Sequence, residues 1–116
     1  FQVTTMPIPK TIAPGEEVEI RCALTPERIV KGTCYTLRYF QYDGRGVLSI
    51  GRRGKSLMPN DRYAVAPGHF VLYYRSLSAE RQSLEVVIED NHGQSQTLAF
   101  DFNHKENKVF PEDLSV

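Results

Sequence analysis

The chain has 116 residues, with 14 Lys/Arg against 14 Asp/Glu and 41% hydrophobic residues. That is long enough to bury one core without metal or several disulfides, and too apolar and too neutral for a disordered chain. No apolar run approaches the roughly 20 residues that span a bilayer.

Residues 1–6 read as an extended opening, and Pro7 and Pro9 exclude a central ladder position after it. Ala13-Pro14-Gly15-Glu16 reads as a turn. Residues 17–24 then alternate, with Val18, Ile20, Cys22 and Leu24 inward. Residues 25–28 predict a brief turn of helix ahead of Lys31-Gly32. Residues 33–42 form the longest predicted strand, with Tyr35, Leu37 and Tyr39 on one side and Thr36, Arg38 and Phe40 on the other. Asp43-Gly44-Arg45-Gly46 predicts a hairpin to a short partner over 47–50. Residues 51–55 look like a flexible loop, 60–65 a short strand, and Pro67-Gly68 a turn.

The strongest signal follows. Runs 69–75, 83–89 and 96–103 each alternate, grouping Phe70, Leu72 and Tyr74, then Leu84, Val86 and Ile88, then Leu98, Phe100 and Phe102. Period-2 alternation marks a strand with one face on a core and one in water. Residues 76–82 predict one helical turn after a Ser76 cap. Asp90-Asn91-His92-Gly93-Gln94 predicts a hairpin. Residues 104–116 are polar, lack alternation and read as a disordered C-terminal tail. The fold class is all-β. Short strands at this spacing predict an immunoglobulin-like β-sandwich of seven or eight strands over residues 1–103, with an eight-stranded barrel as the rival.

Chemistry is sparse. Cys22 and Cys34 enclose 11 residues, but opposite strand parity points their side chains apart, and a disulfide needs converging Cβ vectors. Two free thiols are expected. His69, His92 and His104 lack ligand spacing, and few acids accompany Asp90, so no metal is expected. There is no Gly-x-Ser-x-Gly elbow, Glu85 and Glu89 only alternate along one strand's outer face, and Gly51-Arg52-Arg53-Gly54-Lys55 lacks the spacing of a phosphate loop. No catalytic residue and no cofactor site emerge. Residues 1–58 carry nine Lys/Arg and five Asp/Glu, and residues 59–116 the reverse. A basic loop of Arg45, Arg52, Arg53 and Lys55 could meet phosphate or an acidic partner. Outward aromatics offer a second candidate: Arg38, Phe40, Tyr42 and Tyr73 are of the residue types that dominate protein interfaces. Stacked aromatics near cations also suit single-stranded nucleic acid.

Several stretches carry a resemblance. Leu57-Met58-Pro59-Asn60-Asp61-Arg62-Tyr63, Phe70-Val71-Leu72-Tyr73-Tyr74, Ile88-Glu89-Asp90-Asn91-His92-Gly93-Gln94 and Phe100-Asp101-Phe102-Asn103 resemble the TraQ family of conjugative-transposon proteins. Met6-Pro7-Ile8-Pro9-Lys10, Val18-Glu19-Ile20-Arg21-Cys22 and Arg38-Tyr39-Phe40 are similar too, so the resemblance spans residues 3–103. It implies a non-catalytic structural or assembly component of a conjugative DNA-transfer apparatus, acting through contacts with other proteins of that apparatus. The expected location is the cell envelope, periplasmic or membrane-anchored facing the periplasm. Full-length relatives carry an N-terminal membrane-directing segment, so this chain is expected to be an excised domain or a mature form. Direct nucleic-acid binding is not expected, and the oligomeric state stays open. The alternative is a generic extracellular or periplasmic binding module for a glycan or host protein.

Overall fold

A computed structural model describes residues 1–105. It contains nine strands and, among the described residues, no helix: β1 (Gln2–Thr5), β2 (Thr11–Ile12), β3 (Glu17–Thr25), β4 (Tyr35–Asp43), β5 (Gly46–Ile50), β6 (Tyr63–Val65), β7 (Gly68–Ser76), β8 (Gln82–Asp90) and β9 (Ser95–His104). They form a four-stranded sheet ordered β1-β3-β7-β5 and a five-stranded sheet ordered β2-β9-β8-β4-β6. The two sheets pack face to face as a sandwich.

The alternating runs point where their period requires. Val18, Ile20, Cys22, Leu24, Leu72 and Tyr74 of one sheet meet Leu37, Tyr39, Leu84, Val86, Ile88, Phe100 and Phe102 of the other, all buried. Tyr74 and Phe102 stack across the gap with ring centroids 5.8 Å apart and planes at 5°. The hairpin over residues 90–94 forms. Asp90 Oδ1 accepts the N–H groups of His92 (2.8 Å) and Gln94 (2.9 Å), which is the reason an Asp opens that turn. At Pro14-Gly15 the chain also turns as expected, with Gly15 at φ 83° and Glu16 N–H on the Ala13 carbonyl at 3.0 Å.

Three expectations need correction. Residues 43–46 do not close a hairpin, because β4 pairs with β8 and β6 whereas β5 pairs with β7 in the opposite sheet. Gly44 and Gly46 let the chain cross close to the core. A Cβ at Gly44 would overlap the Gln82 side chain, and one at Gly46 the Tyr74 ring and hydroxyl. The Arg45 backbone also bonds away from β4, donating to Ser78 Oγ at 2.9 Å and accepting Leu77 N–H at 2.8 Å. Residues 76–82 form no helical turn. Their backbone groups find other partners: Ser76 N–H donates to the Glu16 carbonyl (3.1 Å), Gln82 Nε2 donates to the Glu80 carbonyl (3.0 Å), and Ser76 Oγ to that of Ser78 (3.0 Å). Residues 25–28 form none either, and the loop closes later by a turn from the Val30 carbonyl to Thr33 N–H (3.2 Å). The 51–55 loop is a compact turn, with Gly54 N–H on the Gly51 carbonyl (3.1 Å) and Arg53 at φ 64°.

β2 is the strand that composition does not announce. Two residues long, it runs parallel to the end of β9, pairing Thr11 with Asn103 and Ile12 with His104. Lys105 N–H then bonds the Ile12 carbonyl at 3.0 Å. Of the tail expected over 104–116, His104 closes β9 and Lys105 bonds Ile12, while residues 106–116 lie outside the described residues.

Candidate functional surfaces

Because successive strand residues face opposite ways, the outward side chains of each sheet form a separate surface. The four residues expected to make one aromatic interface are therefore divided. Arg38, Phe40 and Tyr42 stand on the outer face of the five-stranded sheet, and Tyr73 on the outer face of the other.

On the five-stranded sheet the three β4 side chains form a tied ladder. Arg38 Nε donates to Glu89 Oε1 at 3.0 Å, and its Nη1 to Asn60 Oδ1 at 3.0 Å. The Arg38 guanidinium lies 5.6 Å from the Phe40 ring centroid. Phe40 in turn stacks on Tyr42 at 6.4 Å with planes 21° apart. Tyr42 closes the series by donating its hydroxyl to Glu85 Oε1 at 2.9 Å, which with slight burial and the carboxylate's charge holds the phenol above its ordinary pKa. Arg62 Nε approaches Glu89 Oε1 at 3.4 Å. Cation–π and aromatic contacts of this kind contribute about 0.5–1.5 kcal/mol each. They also fix the orientation of the rings. Tyr42 remains 60% exposed.

Glu85 and Glu89 are the residues that sequence reasoning passed over here. Both were legible as outward positions of one strand. Their registry opposite Phe40 and Thr36 was not, because pairing is a long-range property.

The opposite face holds Tyr73 in a charged setting. Its hydroxyl lies 3.3 Å from Glu19 Oε2, its cross-strand partner, and Arg52 stands 5.7 Å from its ring centroid. Glu19 is bonded by Arg21 Nε at 2.6 Å, the main reason its carboxyl is held below the usual range. The basic loop is divided as well. Arg45 lies at the β4–β5 crossover, while Arg52, Arg53 and Lys55 follow β5, about 17 Å of strand away. All four are exposed.

Cys22 is buried and Cys34 exposed, and both are free. Burial pushes the Cys22 thiol up to about 11, so it stays protonated. Tyr74, also buried, is pushed up to about 12 despite a 2.8 Å hydrogen bond from Gln41 Nε2. Among the described residues no three His, Cys, Asp or Glu side chains gather as metal ligands. Among the described residues there is no helix long and apolar enough to cross a membrane.

Comparison with known proteins places these surfaces in context. Residues 1–105 match the family described as TraQ conjugal transfer protein. A conjugative transposon lipoprotein from Bacteroides eggerthii is 44% identical, with a TM-score of 0.81 over 88% of this chain and 95% of that one. A lipoprotein from Bacteroides thetaiotaomicron is 40% identical, with a TM-score of 0.80 over 97% and 83%. A conjugate transposon protein from Bacteroides vulgatus is 45% identical, with a TM-score of 0.79 over 95% and 90%. None of the curated proteins matches.

Proposed function

The chain belongs to the TraQ conjugal transfer protein family, and from that premise we propose that it is a non-catalytic assembly component of a conjugative transposon's transfer apparatus. It docks another protein of that apparatus through the outer face of the five-stranded sheet. The observation that carries this reading is the Arg38–Phe40–Tyr42 ladder, tied at both ends by Glu89 and Glu85. Aromatic and Arg side chains supply most binding energy at protein interfaces, and rings already ordered lose little entropy on binding. The lipoprotein relatives support attachment to a membrane in the cell envelope.

The scaffold is read as immunoglobulin-like. Its β1-β3-β7-β5 order corresponds to the A-B-E-D sheet of such domains, and β9-β8-β4 to G-F-C. Two uses of such a scaffold, catalysis and display, differ in what they need from it: the first needs converging reactive groups, the second a rigid face.

The test is a donor strain carrying Phe40→Ala and Tyr42→Ala together. Both side chains point outward, so the domain should fold and accumulate normally. Transfer frequency should drop at least tenfold, and a photoreactive residue at position 42 should crosslink to a transfer protein in the parent strain. Wild-type transfer from a strain with normal levels of the double variant would overturn the reading.

A further inference from the structure

We propose that the loop of residues 25–34 is a membrane-contacting tip that seats Ile29 and Val30 at the headgroup boundary of a lipid surface with anionic groups. Ile29 is 96% exposed and Val30 49%, the one adjacent pair of exposed large hydrophobic residues among those described. Arg28 and Lys31 flank them. An apolar pair between two cations suits an interface: the side chains enter the acyl boundary while the long cationic stems reach headgroup phosphates.

The base of the loop is fastened to the β8–β9 hairpin. Asn91 Nδ2 donates to the Gly32 carbonyl at 2.9 Å, Cys34 N–H donates to Asn91 Oδ1 at 2.9 Å, and Thr33 Oγ1 lies 2.9 Å from His92 Nε2. Pro26, Tyr35 and Pro67 line a shallow groove beside Ile29 and Val30, continuing the apolar surface. Glu27 is the loop's one acid, set against Arg28 and Lys31. The nearby Asp90 carboxylate is occupied by the hairpin's own N–H groups.

Position selects the occupant. Phe1 packs edge-on against Tyr35, ring centroids 5.3 Å apart, at this same end of the sandwich. A tether entering at residue 1 therefore brings this loop to the bilayer first, and to that extent the inference rests on the membrane-attached reading above. A second copy is a poorer fit, because a two-fold contact through the loop would set Arg28 and Lys31 against their own copies. Two apolar side chains orient a tethered domain but do not anchor a free one.

The experiment tethers the 116-residue chain through an oligohistidine at its N-terminus to vesicles of phosphatidylethanolamine and phosphatidylglycerol doped with a nickel-chelating lipid. An environment-sensitive fluorophore is attached at Ile29→Cys, or at Leu77→Cys beyond the opposite end, each in a Cys34→Ser background. Headgroup spin-labelled lipid should quench the label at 29 several-fold more than that at 77, and Val30→Asp should abolish the difference. Equal quenching at both sites would overturn the proposal. So would a dimer in solution that Ile29→Ser dissolves, which would assign the loop to a second copy. Equal quenching alongside a transfer defect from Phe40→Ala and Tyr42→Ala would sink the tip and leave the docking face standing.

Discussion

At the scale of single residues, burial and local hydrogen bonding set what each substitution does. Val86 is fully buried between the sheets, so Val86→Asp places a charge where no partner can reach it. The penalty is several kcal/mol against a typical stability of about 5–15 kcal/mol. A thermal melt should show the variant largely unfolded at a temperature where the parent is folded. Asp90 makes a subtler case. Slight burial acts to raise its pKa, but the N–H groups of Gln94 and His92 win and hold it below 3.8. A carboxyl depressed in the folded state stabilises above its unfolded pKa and loses that contribution as pH falls through the folded value. Asp90→Asn keeps an acceptor oxygen but removes the charge. Its melting temperature should therefore fall less than the parent's between neutral pH and the acid range below 3.8, as a pH series of melts would read.

At the scale of elements, the faces of the strands were legible and their partners were not. Alternation at residues 69–75, 83–89 and 96–103 predicts which side chains are buried, because it depends only on the chain's own pleat. Sheet membership depends on what arrives from far along the chain. Residues 43–46 have the composition of a hairpin and yet carry the chain between sheets. The deciding contacts come from Tyr74, Leu77, Ser78 and Gln82, more than 25 positions away. The same blindness merged Tyr73 with Phe40, which stand on opposite outer faces, and Arg45 with Arg52, which lie at opposite ends of β5. The tip at residues 28–31 was readable as two apolar residues between two cations, but only exposure distinguishes such a pair from core. Gly46→Ala tests the crossover directly. Its Cβ has no space beside the Tyr74 ring, so the variant should lose about 1–3 kcal/mol, as overpacked sites do. Denaturant titration should show a lower midpoint with an unchanged slope.

At the scale of the whole molecule, the two cysteines report on different events. Cys34 is exposed, so it should be alkylated in the native state at the rate of a free thiol. Cys22 is sealed between the sheets with its thiol pushed up to about 11, so its alkylation should follow global unfolding and accelerate with denaturant. Mass spectrometry of a timed alkylation would count one fast and one slow adduct. Two fast adducts would mean that the sandwich opens locally around β3.

The parallel pairing of β2 with the end of β9 also bears on mechanics. Phe1 and Lys105 lie at opposite ends of the sandwich, and the two strands run side by side in the same direction. A pull that draws the first residues one way and the last described ones the other loads this pair in shear. The bonds from Asn103 N–H to the Lys10 carbonyl and from Lys105 N–H to the Ile12 carbonyl then share the force and must yield together, instead of peeling one at a time. Strands β1 and β2 are thus a clasp by which the first twelve residues join both sheets. A domain tethered at one end and gripped by a partner at the other would meet tension with its bonds aligned to resist it.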